Sequence, residues 1–355
     1  MQARVVPGQQ GAPLFSWDIG PETDERGRQP DYLSENVVHC GDARYLLRQV
    51  EPGSVALSFW SPPYFVGKSY EKEMSFGDWQ DLLQEVIALH FAATKPGGFL
   101  AINIADILAF PDPDMPRIQA DNISNKKSKV TREEVLGAQA AHPTFNRYQL
   151  AALLGCSEQT VDRRLKNNNV RGGKYSTQRK VKLVGGLVEE WGNLAGFYLY
   201  DRRVWVKGPC WENGRWHSLS YRSVDEFEYI YVFWKPGITT VDRTRLAQGE
   251  WSEWGSRAVW YIPSVRANDQ HEAQFPIELP RRVIRLLSAP GELVLDCFVG
   301  SGTTAVAAIK ERRRYLGFEL LPHYAELATR RCRQTQLGIQ DELELSTGYK
   351  SAFHG

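Results

Sequence analysis

The sequence predicts an α/β fold: a mostly parallel sheet flanked by helices, plus a small, mainly helical insert. Three observations lead to it. Residues 57–64 are an apolar run that stops at Ser61-Pro62-Pro63-Tyr64, which reads as a buried strand ending in a proline-stiffened turn. Residues 293–304 repeat the pattern with glycines at the turn, Gly300 and Gly302, then a helix and a further apolar run, 315–319, ending in Glu319. Between 79 and 104 a helical stripe leads into another apolar run, and strand, helix, strand at this spacing implies right-handed crossovers and parallel pairing.

A chain of 355 residues with 42% apolar content buries a sizeable core, as one large domain with an insertion or as two domains. It has no apolar run of about 18 residues and no signal-peptide pattern, so a soluble, cytoplasmic protein is expected, with no membrane partner. Cys40, Cys156, Cys210, Cys297 and Cys332 are odd in number and widely spaced, which argues against a disulfide framework and against a zinc site; no metal is expected. The net charge of +1 hides a split: residues 126–182 hold 13 lysines and arginines against 4 aspartates and glutamates, while the remainder holds 30 against 38. The basic footprint is concentrated in one insert.

In chain order, residues 1–34 form an irregular arm rich in Pro, Gly and Gln, and 35–110 the first half of the main domain. Within it, 36–40 is a short strand ending at Gly41-Asp42, and 68–74 is a polar segment placed to close over the 61–64 turn. Apolar residues at 79, 82, 83, 86, 87 and 91 make a helical stripe stopped by Lys95-Pro96-Gly97-Gly98, and 99–104 is a strand. A proline-rich stretch at 110–116 opens the basic insert, 111–182. Residues 149–165 are spaced like a helix-turn-helix: Ala151 is small where the helices cross, Gly155 permits the turn, Ser157 caps the second helix, and Val161 and Leu165 face its core. The candidate DNA-contact residues there are Ser157, Gln159, Thr160, Arg163, Arg164, Lys166, Asn167, Arg171 and Lys174, because Arg reads guanine bidentately and Asn or Gln reads adenine. A helical hairpin that only packs is the alternative. Residues 183–270 hold a helix at 183–191, strands at 197–206 and 229–233, and Trp205, Trp211 and Trp216 as cleft or packing residues. Residues 271–340 run from His271 through Phe275-Pro276 and a helix into the glycine-turn strand, then to 315–319 and a helix at 322–336; 341–355 is a tail.

The chemistry lies in the two turns. Prolines remove two N–H donors, so carbonyls after the first strand are left as acceptors; Ser61 adds a hydroxyl and Tyr64 a flat π-face. That set fits a planar base carrying an exocyclic amine. The second turn is a nucleotide-type site, its glycines allowing close backbone approach and Glu319 placed for ribose hydroxyls. Gly300-x-Gly302 alone would also pass for a dinucleotide fingerprint.

Taken together, Ser61-Pro62-Pro63-Tyr64 and Asp296-x-Phe298-x-Gly300-x-Gly302 resemble the two signature motifs of the DNA amino-methyltransferases, which use S-adenosylmethionine to methylate an exocyclic amine of cytosine or adenine. The resemblance covers about 37–105 and 225–336, in the motif order of the β group. It departs at Cys297, where a proline is common. The resemblance implies a Rossmann-like methyltransferase fold, Ser61, Pro62, Pro63 and Tyr64 as the catalytic site, and double-stranded DNA as partner. It further implies that Asp296, Phe298, Gly300, Gly302 and Thr303 hold the cofactor, with Asp42 at its adenine, a turn-capping Asp being the alternative, and Phe275 and Pro276 at its methionine end. The target base would be flipped out of the duplex onto Tyr64. Ser at the first motif position resembles the cytosine-N4 members more than the adenine-N6 members, which stay the alternative. A cognate restriction endonuclease in a prokaryotic or phage setting fits the same resemblance. A nicotinamide-dependent oxidoreductase would use the glycine turn and Glu319 but leaves Ser61-Pro62-Pro63-Tyr64 unexplained, and a DNA-binding regulator with a dead catalytic domain leaves both turns without purpose. Pro209-Cys210 mimics the nucleophile of carbon-5 cytosine methylases, without any other feature of that family.

Overall fold

Burial on both faces of a strand is what turns an apolar sequence run into the middle of a sheet, and the computed structural model of this chain is built on such strands. The structure describes residues 4–5, 15–16, 31–64, 74–111, 128–166, 179–208, 226–265 and 274–351. A short antiparallel ribbon, β1 (Arg4–Val5) and β2 (Phe15–Ser16), lies in the arm expected to be irregular. Next come β3 (Val37–Cys40), α1 (Ala43–Leu47), β4 (Val55–Trp60), α2 (Phe76–Ala93) and β5 (Thr94–Ile104). The insert follows with β6 (Ile107–Pro111), α3 (Arg132–Ala141), α4 (Arg147–Leu153), α5 (Glu158–Leu165) and β7 (Arg179–Leu183). The chain then forms α6 (Gly185–Ala195), β8 (Tyr198–Val206), β9 (Phe227–Trp234), α7 (Gln248–Glu250) and β10 (Val259–Tyr261). It ends with α8 (Glu278–Leu287), β11 (Leu293–Asp296), α9 (Thr303–Lys310), β12 (Arg314–Glu319) and α10 (Pro322–Ser351).

The main sheet has eight strands in the order β10-β8-β9-β5-β4-β11-β12-β3, and every neighbouring pair is parallel except the two made by β9. All six residues of β4 are buried, and they divide between faces: Val55 and Trp60 enter the core beneath α1, α2 and α6, Leu57 and Phe59 the core beneath α8, α9 and α10. Leu100 and Ile102 against Phe99 and Ala101 do the same in β5. These are the strands whose sequences lack polar alternation.

Three expectations are corrected, and for Trp205 one of two stated alternatives is selected. The strand after α2 begins at Thr94, before the expected break, because Gly97 takes φ 79° and lets the chain pass where a Cβ would lie 2.1 Å from the Ile238 carbonyl. Residues 107–111 and 179–183 form a two-stranded ribbon where only a proline-rich interruption and the start of a helix were expected; each run is too short for its period to show. The C-terminal helix continues to Ser351, no proline intervening after Pro322. Trp205 is a packing residue, buried, with its indole N–H donating to the Ile262 carbonyl at 2.7 Å, while Trp211 and Trp216 lie outside the described residues.

The chain divides into two compact units, the second made of 111–180 and 210–225. Within that second unit α3, α4 and α5 close on Val135, Leu150, Ala151 and Val161. Among the described residues no helix is long and apolar enough to cross a membrane.

Candidate active site

Ligands of open parallel sheets bind beyond the carboxyl ends of the strands, and this edge collects both sequence motifs. Leu295 pairs with Ser58, Asp296 with Gly317 and Glu319 with Cys40, so the turns after β4, β11, β12 and β3 stand side by side. The rings of Trp60, at the end of β4, and Phe298, in the turn after β11, meet edge to face at 5.4 Å.

On the catalytic side, Ser61 Oγ donates to Tyr64 OH at 2.7 Å, and Tyr64 OH donates to Glu228 Oε2 at 2.6 Å. Asn103 Nδ2 donates to the same carboxylate oxygen at 2.7 Å, and Lys207 Nζ binds the other at 2.6 Å. The turn is braced from behind: Trp79 Nε1 donates to the Pro63 carbonyl at 2.7 Å, and Trp60 Nε1 donates to His90 Nε2 at 3.2 Å. His90 Nδ1 in turn donates to the Val86 carbonyl at 2.7 Å, and burial holds the imidazole neutral, its pKa lowered to about 4. Asn103, Lys207 and Glu228 join the candidate site through these hydrogen bonds, and the sequence reading did not single them out. Their signal was a polar side chain inside an apolar run, Asn103 in β5 and Glu228 in β9. Only the antiparallel register that pairs Asn103 with Ile230 shows that they converge.

On the cofactor side, Gly300 and Gly302 take φ values of 51° and 87°, left-handed conformations that glycine adopts freely. Asp296 Oδ1 accepts from the Phe298 N–H at 3.0 Å; burial pushes this carboxyl up to about 7, the nearby Glu319 charge adds to the shift, and the Phe298 N–H opposes it. Glu319 is raised by burial and restrained by backbone N–H groups, among them Gly300 at 2.9 Å and Leu321 at 2.9 Å. Phe275 packs edge to face on Phe59 at 5.7 Å, and Gln274 Nε2 donates to Thr303 Oγ1 at 3.2 Å, which brings the Phe275-Pro276 segment to the start of α9. Asp42 caps α1 and binds Arg44 through its backbone N–H and its guanidinium, which lowers the carboxyl pKa against the effect of burial. Cys297 is buried and its thiol pKa is raised by that burial, so it is no nucleophile.

These residues suit S-adenosylmethionine. Glu319 offers half-buried carboxylate oxygens to a pair of hydroxyls, the left-handed glycines clear the backbone beside it, and Phe275 and Phe298 are half-buried rings.

In the insert, Gly155 has φ 61° at the turn and Ser157 Oγ accepts from the Thr160 N–H at 3.3 Å as the cap of α5. Gln159, Arg163 and Lys166 are exposed, Lys166 pairing with Asp162 at 2.9 Å. Arg164 departs from the expected contact face: its Nε donates to the Val130 carbonyl at 2.9 Å, and Arg132 Nε donates to the Arg164 carbonyl at 3.2 Å. Its guanidinium serves the fold of the insert. Asn167, Arg171, Lys174, His271 and most of 68–74 lie outside the described residues.

Comparison with known proteins agrees with this geometry. The family described as DNA methylase, of the N6 and N4 type, matches residues 55–330. The type II methyltransferase M.BglI of Bacillus subtilis is 56% identical over 299 residues, covering 84% of this chain and 86% of the relative. TTHA0409 of Thermus thermophilus, solved in complex with S-adenosyl-L-methionine, superposes with a TM-score of 0.55 at 25% identity, covering 84% of this chain and 93% of that one. The cytosine-N4-specific PvuII DNA methyltransferase shares the fold, with a TM-score of 0.51 at 19% identity over 86% of this chain and 89% of its own. The chain therefore belongs to the DNA methylase family and is an S-adenosylmethionine-dependent DNA amino-methyltransferase.

Proposed function

We propose that the chain methylates the exocyclic N4 amine of a cytosine flipped out of double-stranded DNA at a specific sequence. The observation that carries the base assignment is Ser61. It stands first in the catalytic tetrapeptide, as in the cytosine-specific members the motif resembles, and its own proton is committed to Tyr64 OH, which leaves the oxygen as an acceptor.

An amine conjugated to a base ring is a poor nucleophile because its lone pair is delocalised. Ser61 Oγ and the Pro62 carbonyl accept its two hydrogens, pyramidalise the nitrogen and localise the pair, while Tyr64 stacks on the ring. When bound, S-adenosylmethionine supplies an electrophilic methyl on its sulfonium sulfur. Glu319 would hold the ribose hydroxyls, Asp42 would face the adenine, Phe275 and Pro276 would cover the methionine end, and Asp296, Phe298, Gly300, Gly302 and Thr303 would shape the turn between them. Placing the amine in line with the methyl is the main source of acceleration. In the insert, Gln159 and Arg163 read base edges and Lys166 contacts phosphate.

The test is to incubate the protein with unmethylated DNA and methyl-labelled S-adenosylmethionine, digest to nucleosides and identify the product by mass spectrometry. N4-methylcytosine is the expected product; N6-methyladenine contradicts the base assignment.

A further inference from the structure

The hydrogen-bond chain that starts at Ser61 does not stop at Tyr64. It runs from Ser61 Oγ to Tyr64 OH at 2.7 Å and from Tyr64 OH to Glu228 Oε2 at 2.6 Å. Glu228 is 5% exposed, at the amino end of the antiparallel strand, which brings it to the same edge of the sheet as the catalytic turn. Asn103 Nδ2 and Lys207 Nζ donate to its two oxygens at 2.7 and 2.6 Å. Three donors converging on one carboxylate are what its ionised, acceptor-only form requires. A buried ion pair is weak evidence for stability, since apolar side chains of similar volume usually serve as well. The Lys207–Glu228 pair, joined by a directed chain to the residue that grips the target amine, therefore has another use.

We propose that Glu228 takes up, through Tyr64 and Ser61, the proton that the target amine must lose on methylation; this rests on the amine-methylation reading given above. The amine lone pair forms the new carbon–nitrogen bond as the methyl's bond to the sulfonium sulfur breaks, the electron pair of that bond remaining on sulfur. As that bond forms, the nitrogen gains positive charge and sheds one of its protons in the same step. That proton moves to Ser61 Oγ, the Ser61 proton to Tyr64 OH, and the Tyr64 proton to Glu228 Oε2. The methylamino base and the thioether end neutral, Ser61 and Tyr64 end as they began, and Glu228 ends protonated. Because the proton leaves as the carbon–nitrogen bond forms, losing its acceptor slows methyl transfer itself. Asn103 and Lys207 are positioning residues: they fix the carboxylate so that Oε2 faces the phenol.

Glu228→Gln keeps the shape and removes the proton acceptor; Tyr64→Phe keeps the stacking ring and cuts the chain one step earlier. Single-turnover rates of base methylation would be measured for the wild type, both variants and the double variant, at saturating S-adenosylmethionine and DNA, alongside the dissociation constant of each. Each single variant is expected to be roughly 100-fold slower, in the range of lost general base catalysis, with both dissociation constants unchanged. The double variant is expected to be no slower than the slower single one, because both break one relay. Wild-type turnover by Glu228→Gln, or losses that multiply in the double variant, overturn the proposal; if Glu228→Gln does not fold, wild-type turnover by Tyr64→Phe overturns it. A wild-type protein that methylates no DNA base removes the underlying reading and the proposal together. One that methylates DNA while the variants keep its rate removes the proposal alone.

Discussion

Ser61 and Glu319 stand at the ends of the two strands that flank β11, so the group proposed to grip the amine and the group suited to ribose lie on either side of the glycine turn. On the proposed reading Tyr64 stacks on the target base, so Tyr64→Ala is expected to weaken binding of the target DNA by roughly 1 to 3 kcal/mol, read by titration in the presence of cofactor. Asp296 carries a stability signature. Its folded pKa of about 7 exceeds the ordinary value of 3.8, so the folded state binds a proton that the unfolded state has lost across that window. Stability from this group therefore declines as pH rises from about 4 to about 7, by an order of 4 kcal/mol if the group acts alone. Asp296→Asn still offers an oxygen to the Phe298 N–H and does not titrate. Its midpoint of thermal unfolding, relative to the wild type, is expected to be higher at pH 8 than at pH 5; an equal difference at both values contradicts the account. The residues of both turns were legible because proline and glycine punctuate an apolar run there. Asn103, Lys207 and Glu228 were not, because their meeting depends on the pairing of β9 with β5 and β8, which no local pattern encodes.

At the scale of elements, α2 is fastened to β4 through Trp60 and His90. The folded pKa of His90, about 4, lies below its ordinary 6.5, so the unfolded state binds more protons in between and stability falls as pH drops through that window. Replacing His90 by Phe removes this acid sensitivity, of the order of 3 kcal/mol, though it leaves the Trp60 N–H without its acceptor. The His90 and Asp296 effects run in opposite directions over overlapping pH ranges, so differences between variant and wild type are the quantities to read. In the insert, the small Ala151, the left-handed Gly155, the Ser157 cap and the buried Val161 were all readable from spacing. Which of two adjacent arginines faces outward was not, since Arg164 is turned by a carbonyl of the segment before α3. Arg163→Ala is expected to weaken DNA binding and leave thermal stability unchanged, whereas Arg164→Ala is expected to lower the stability of the insert. The two variants are separated by a binding titration and a melting curve.

For the whole molecule, an overall charge of +1 conceals a basic insert within an acidic remainder, so DNA affinity should fall steeply with salt even though the protein is nearly neutral. Each lysine or arginine that neutralises a phosphate contributes about one unit to the slope of log K against log salt, and Lys166→Ala is expected to reduce that slope by about 1. The sheet brings four strand ends to one edge, and the proposed methyl transfer there rests on Ser61 as the acceptor that prepares the amine. The most direct measurement is therefore single-turnover formation of N4-methylcytosine by Ser61→Ala beside the wild type, with S-adenosylmethionine and DNA binding measured on the same samples. The account predicts that the variant binds both and forms product roughly 100-fold more slowly or worse. A variant that forms N4-methylcytosine at the wild-type rate contradicts it.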